Sequence, residues 1–185
     1  EGSDVCLYLP SGGTSGEPKT VEITNISLNS IAAKIFTLTR GAELNKDSML
    51  MVLPIFHGFG IAVCMHTVLS RGFRIVLVPA FNAEKINRII KKDKVTHLAG
   101  VPALYDKLMK CKNFEGKHLK LIKNAYCGGD VLPEEIKNKF DSAVASYGGE
   151  GRLYQGYGLA EAIAVCCSNS WRGEKVGSIG RPMEG

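Results

Sequence analysis

Short apolar runs alternate with helix-patterned segments from one end of the chain to the other, and few folds accept that order. Strand-like runs fall at residues 5–9, 49–53, 74–78, 95–99, 121–126 and 153–158. Between them lie segments with a 3.6-residue apolar period: Leu28, Ile31, Ala32, Ile35 and Leu38 make one stripe, and Ile86, Ile89 and Ile90 make another. Thr24 or Asn25 can cap the first helix and Asn82 the second. Pro102 and Pro133 stand where a first helical turn tolerates a residue without an N–H. Glu134 and Glu135 then sit at the positive end of the helix that Pro133 opens. A further helix is expected over 58–70, ended by Gly72. Strands spaced by helices of about 10–15 residues predict an α/β fold, with a mainly parallel sheet flanked by helices. No internal repeat, linker or low-complexity tract divides the chain.

The first apolar run leads into Tyr8-Leu9-Pro10-Ser11-Gly12-Gly13-Thr14-Ser15-Gly16-Glu17-Pro18-Lys19. Glycines let a backbone come close to a ligand. With the hydroxyls of Ser11, Thr14 and Ser15 and the Lys19 cation, the segment suits phosphate oxygens. Glycine and serine alone would also make a flexible surface loop, but a closing Pro-Lys directly after a strand argues for a built site. Residues 13–20 read G-x-x-x-x-P-K-T, one residue from the P-loop signature. Pro18 has no N–H and a fixed φ, so it cannot replace the second glycine of that signature. G-x-G-x-x-G is absent too, which sets aside the dinucleotide fingerprint.

Three later segments carry chemistry. Leu53-Pro54-Ile55-Phe56-His57-Gly58-Phe59-Gly60 places His57 after a strand and before a helix, where its ring can donate to an anion or cap the helix. Cys127-Gly128-Gly129-Asp130-Val131-Leu132-Pro133 puts two glycines at the carboxyl end of a strand. Open α/β sheets take ligands at such ends, although a plain tight turn fits as well. Tyr154-Gln155-Gly156-Tyr157-Gly158-Leu159-Ala160-Glu161 sets an aromatic ring between glycines, with a carboxylate close behind.

In this order, and with Val101-Pro102 and Gly177-Ser178-Ile179-Gly180-Arg181-Pro182 in place, these blocks closely resemble the adenylate-forming (AMP-binding) superfamily. That superfamily includes acyl-CoA synthetases, luciferases and peptide-synthetase adenylation domains. The resemblance covers residues 8–182, and the block spacing is most similar to bacterial medium- or long-chain acyl-CoA synthetases. It implies that Ser11, Gly12, Gly13, Thr14, Ser15, Gly16 and Lys19 hold the β- and γ-phosphates of ATP. By the same resemblance His57 lies beside the carboxylate being activated, and Gly128, Gly129 and Asp130 border adenine. Tyr157 would stack on the base, with Gly156 and Gly158 clearing space for it, and Glu161 and Thr14 would help hold Mg²⁺. His57, Lys19 and Glu161 are the implied catalytic set. Ala160 stands where the family usually has a threonine that meets the α-phosphate, so one hydroxyl is missing; a hydrogen bond to a charged group is worth about 1.5–3 kcal/mol.

The implied activity is ATP- and Mg²⁺-dependent activation of a carboxylic acid, a fatty acid by the block spacing, followed by transfer to coenzyme A. Two other readings are an acyl-AMP ligase or amino-acid adenylation domain, and a non-catalytic nucleotide-binding module. The ribose-binding aspartate and the small carboxy-terminal domain of the family are not among these 185 residues. Residues 1–185 are therefore expected to be the central portion of the large domain, inactive or nearly so when separated from the rest.

Composition narrows the remaining classes. With 45% hydrophobic and 22% charged residues, there is material for a core. No apolar run approaches the roughly 18 residues of a membrane span, and residues 1–10 have no signal-peptide pattern. The net charge of +5 gathers between Lys85 and Lys123 among Glu84, Asp93, Asp106 and Glu115. With only Tyr105 and Phe114 as aromatics in that stretch, it reads as a solvated helical surface, not a nucleic-acid stripe. The cysteines form no C-x-x-C pair and mostly lie in apolar runs. They are expected to be buried thiols of a reducing, cytoplasmic compartment. His57, His66, His97 and His118 have no metal-ligand spacing.

Overall fold

The computed structural model describes residues 1–11 and 19–184. The phosphate-loop residues Gly12, Gly13, Thr14, Ser15 and Gly16 lie outside that set, and with them the expectation that Thr14 holds a metal. Strands β3 (Ser48–Met51), β4 (Arg74–Leu77), β5 (His97–Gly100), β6 (Asn124–Cys127) and β7 (Arg152–Tyr157) run parallel in the order β4-β3-β5-β6-β7. Two short antiparallel strands, β8 (Cys167–Ser168) and β9 (Arg181–Pro182), extend the β7 edge. This is the expected α/β architecture.

Side chains alternate across the sheet, and both faces are buried. Leu50, Leu98, Ala125 and Leu153 point into one core, closed by helices α3 (Ala83–Lys92), α4 (Pro102–Met109) and α5 (Glu134–Ser146). Met49, Met51, Ala99, Tyr126 and Tyr154 point into the other. Covering that second face are α1 (Asn25–Thr37), and a π-helical segment, Phe59–His66, that runs on as α2 (Thr67–Ser70). Two-sided burial is why these strands read as continuous apolar runs. Tyr105, fully buried, donates to the Tyr126 carbonyl at 2.7 Å and meets Phe140 edge-on at 5.5 Å. Lys137 of α5 reaches the Leu153 carbonyl (3.0 Å), Asp141 (2.8 Å) and Glu174 (2.5 Å), fastening the helix to β7 and to the segment after β8.

Capping follows the sequence. The Ser27 N–H donates to Thr24, the Lys85 N–H donates to Asn82, and Pro102 opens α4. The charged run shows its basic side chains to solvent along α3, with Arg88 paired to Glu84 four residues earlier.

Four expectations need correction. The first apolar run, β1 (Val5–Ser11), is not part of the parallel sheet. It pairs antiparallel with β2 (Lys19–Thr24), a strand hidden next to the glycine-rich loop, in a separate hairpin whose register joins Ser11 to Lys19. The helix expected over 58–70 is π-helical as far as His66, with the Thr67 hydroxyl donating to the Ala62 carbonyl at 2.7 Å. The run 121–126 is split between a 3₁₀ turn, Lys117–Leu121, and β6, because Ile122 fills the core without pairing. Only Cys64 and Cys127 are buried. Cys6 is exposed because β1 has a single covered face, and Cys111, Cys166 and Cys167 are half-buried at element ends.

Candidate functional site

The carboxyl ends of β3, β6 and β7 frame a cleft of about 260 Å³. This is the edge at which parallel sheets of this kind receive ligands. Of the described residues singled out by sequence, most meet here: His57 after β3, Gly128 and Gly129 after β6, and Gly156, Tyr157, Gly158 and Ala160 at the end of β7. Tyr157 leaves 45% of its surface exposed, so its ring is available to a flat ligand. Asp130 is not among the lining residues; its carboxylate turns back to accept the Val131 N–H at 2.7 Å.

The two ring nitrogens of His57 face different surroundings. Its Nδ1 accepts the Phe59 N–H at 3.1 Å, capping the π-helical segment. An accepting Nδ1 puts the proton of the neutral ring on Nε2, and the ring is exposed at the cleft. Capping and donation to an anion, alternatives in the sequence, are thus two ends of one imidazole.

Ser11, Lys19 and Glu161 stand beside the cleft wall. The Ser11 hydroxyl donates to Glu161 Oε1 at 2.6 Å, across 150 positions of sequence. That hydrogen bond, one from the Glu161 backbone and the nearby Lys19 cation hold the Glu161 carboxyl below its ordinary range. An ionised carboxylate is therefore fixed next to the hairpin that carries the glycine-rich loop, in a form able to face a hard cation.

Gly158 lines the cleft and is also required by the packing of the chain itself. A Cβ there would lie 1.2 Å from the Ala164 carbonyl oxygen, so the chain itself occupies the space. Gly156 likewise faces Cys167 and Ser168 of β8. The apolar depth of the cleft was not legible from the motifs: Phe59 and Val63 from the π-helical segment, Ile35 and Leu38 from α1, Tyr126 and Ile163. Phe59 and Val63, four apart behind His57, are the pair that spacing could have revealed. Tyr126 closes the wall by donating to the Leu38 carbonyl at 3.2 Å.

A cleft so placed makes this a ligand-binding domain of the open α/β class. More particularly, the chain belongs to the AMP-binding enzyme family, whose profile matches residues 1–185. It is 35% identical to the long-chain-fatty-acid–CoA ligase of Bacillus subtilis (strain 168), over 97% of this chain and 31% of that protein. The ATP-bound MatB of Rhodopseudomonas palustris superposes with a TM-score of 0.86 at 22% identity, over 100% of this chain and 35% of that one. The Bacillus subtilis o-succinylbenzoate coenzyme A synthetase, MenE, in complex with ATP and magnesium ion, gives 0.82 at 22% identity, over 99% and 36%. At that identity the two structures show the fold. The chain spans about a third of the length of the curated relatives it matches. Among the described residues, no helix is long and apolar enough to cross a membrane.

Proposed function

We propose that residues 1–185 are the central part of the large domain of an acyl-CoA synthetase, whose full-length form activates a fatty acid with ATP and then makes its CoA thioester. The observation that carries this reading is the Ser11–Glu161 hydrogen bond. It joins the root of the glycine-rich hairpin to the turn after β7, whose residues 157–160 line the cleft, and so supports a reading in which the implied triphosphate and adenine sides are neighbours. The fatty-acid preference rests on the Bacillus ligase and on the apolar depth of the cleft.

In this account a substrate carboxylate oxygen attacks the α-phosphorus of ATP, the bond to the β-phosphate oxygen breaks, and pyrophosphate leaves. The thiolate of coenzyme A then attacks the acyl carbon and AMP departs. The protein's share is positioning and charge stabilisation, since the attacking oxygen is already an anion. His57 Nε2–H orients the carboxylate, Tyr157 and the Gly128–Gly129 backbone hold the base, and Lys19 with Ser11, Gly12, Gly13, Thr14, Ser15 and Gly16 takes the departing phosphates. Among the described residues no group of three or more His, Cys, Asp or Glu side chains could cage a metal. Mg²⁺ would therefore arrive with the phosphates, where it offsets their charge, and Glu161 would be its protein carboxylate, with Thr14 beside it. Free thiols throughout the chain fit a cytoplasmic enzyme.

The test is product identification. The full-length protein, given ATP, Mg²⁺, CoA and either acetate, medium- or long-chain fatty acids or amino acids, is expected to yield fatty acyl-CoA and AMP in equal amounts. ADP in place of AMP, or a product from amino acids alone, overturns the reading.

A further inference from the structure

One residue in the cleft wall contradicts its own local preference. Ile163 has φ of +69° and ψ of −39°, a region that β-branched side chains avoid. The Ala164 N–H donates to the Ala162 carbonyl at 2.8 Å, closing a three-residue γ-turn of the strained, positive-φ kind around Ile163. The turn is held from both sides. A Cβ on Gly58 would fall 1.9 Å from the Ile163 oxygen, and one on Gly158 would fall 1.2 Å from the Ala164 oxygen. Both glycines therefore serve as seats for these two carbonyls. The fold keeps a conformation that asparagine or glycine would adopt at far less cost, and it keeps a branched apolar side chain there.

That side chain has a place in the cleft. Ile163 is 5% exposed, lines the cleft, and belongs to the same apolar cluster as Val63, Tyr126 and Ile35. The Ile163 carbonyl packs on Gly58, the neighbour of His57, and Ala160 starts the 3₁₀ turn that Ile163 ends. The side chain thus lines the same cleft as the residue assigned to the carboxylate.

We propose that Ile163 is a specificity-determining residue: the strained turn holds its branched side chain in the acyl part of the cleft, where it limits the length of the acid accepted. This rests on the acyl-CoA synthetase reading above. Removing the side chain with Ile163→Gly relieves the backbone and deepens the cleft; Ile163→Phe fills it.

Two measurements on the full-length protein separate the inference from the reading beneath it. The first is ATP–pyrophosphate exchange with saturated fatty acids of graded length. The second needs no ATP: displacement of a dansyl-labelled undecanoic acid by the same acids. Ile163→Gly is expected to move the best acid to longer chains by about two carbons, and to change the long-to-short ratio of kcat/KM by about tenfold or more. Ile163→Phe is expected to move it to shorter chains. Ile163→Val, smaller but of the same shape, is expected to shift the ranking slightly toward longer chains and serves if the glycine variant does not fold. An unchanged length ranking in both assays, with wild-type exchange intact, overturns the role of Ile163 and leaves the synthetase reading standing. A shifted ranking in displacement without exchange by any form overturns the synthetase reading and upholds the residue's role. Neither exchange nor displacement by the wild type overturns both.

Discussion

The two edges of the parallel sheet are built on opposite rules. At the amino edge polar groups are buried against one another, although His97 Nε2 makes no hydrogen bond. Asp47, 2% exposed just before β3, accepts from the Glu43 N–H at 2.7 Å and from Lys123 at 2.9 Å, and His97 Nε2 lies 3.4 Å away. Asn124 donates to His97 Nδ1 and exchanges two hydrogen bonds with the backbone of Arg40. Burial alone would raise the Asp47 carboxyl, yet His97 beside it and hydrogen bonds from Glu43 and Lys123 hold it well below the usual carboxylate range. At the carboxyl edge the chain instead tolerates a strained turn at Ile163 and leaves His57 and Tyr157 open to solvent. One edge turns its polar groups inward on one another; the other leaves His57 and Tyr157 exposed at the cleft, where the proposed function puts the ligand.

The largest way to break that comparison is Asp47→Ala. It removes the buried carboxylate that accepts from the Glu43 N–H and from Lys123 and faces His97, while Lys123 keeps Gly41 and Glu43, so a cost of about 1–3 kcal/mol is expected. A marked drop in the Tm of the full-length protein is expected, with exchange activity per folded molecule retained. The pH dependence has a definite sign. A carboxyl whose folded pKa is lowered contributes stability that is complete above the ordinary aspartate range and is lost as pH falls through and below it. Unfolding curves from about pH 7 down to pH 3 should therefore show a shallower acid limb in Asp47→Asn than in the wild type. Equal acid limbs would remove Asp47 from this account.

A smaller effect probes the double role of His57. Ala there removes the acceptor for the Phe59 N–H, a capping loss of about 1 kcal/mol. Asn can keep that acceptor but has no ring donor in the place of Nε2. Tm is expected to fall in His57→Ala and recover in His57→Asn, while acid-dependent exchange stays low in both. Full activity in the Asn variant would leave the histidine as a cap only. The smallest change is Ala160→Thr, which returns one hydroxyl to the cleft rim; a rise in exchange of about tenfold is expected, the lower end of the worth of one hydrogen bond to a charged group. No rise at all would show that Ala160 is not a deficit.

How much of this was written in the sequence depends on the range over which each signal acts. Strands β3 to β7 are legible because each is an apolar run set between capped helices. Their ends shift by up to three residues: Val95 and Ile122 are buried in the core without pairing, and periodicity does not distinguish those fates. Strand β2 is hidden because Val21 and Ile23 find their partners only when the loop turns the chain back. The site residues are legible as ordered blocks. The coupling of Ser11 to Glu161 is not, since nothing local connects positions 150 apart. The turn at Ile163 is the least legible feature, because an isoleucine argues locally for extended backbone; such disagreements mark functional sites.

The central claim, that the open edge of the sheet is an adenylation site organised around the Ser11–Glu161 contact, is tested most directly by fatty-acid-dependent ATP–pyrophosphate exchange in the full-length wild type and Glu161→Gln. Glu161 is exposed and glutamine keeps an oxygen to accept from the buried Ser11 hydroxyl, so Tm should move little. Exchange should fall by about ten- to a hundredfold, the worth of a hydrogen bond to a charged group. Undiminished exchange in the glutamine variant, or none with any acid in the wild type, would contradict it.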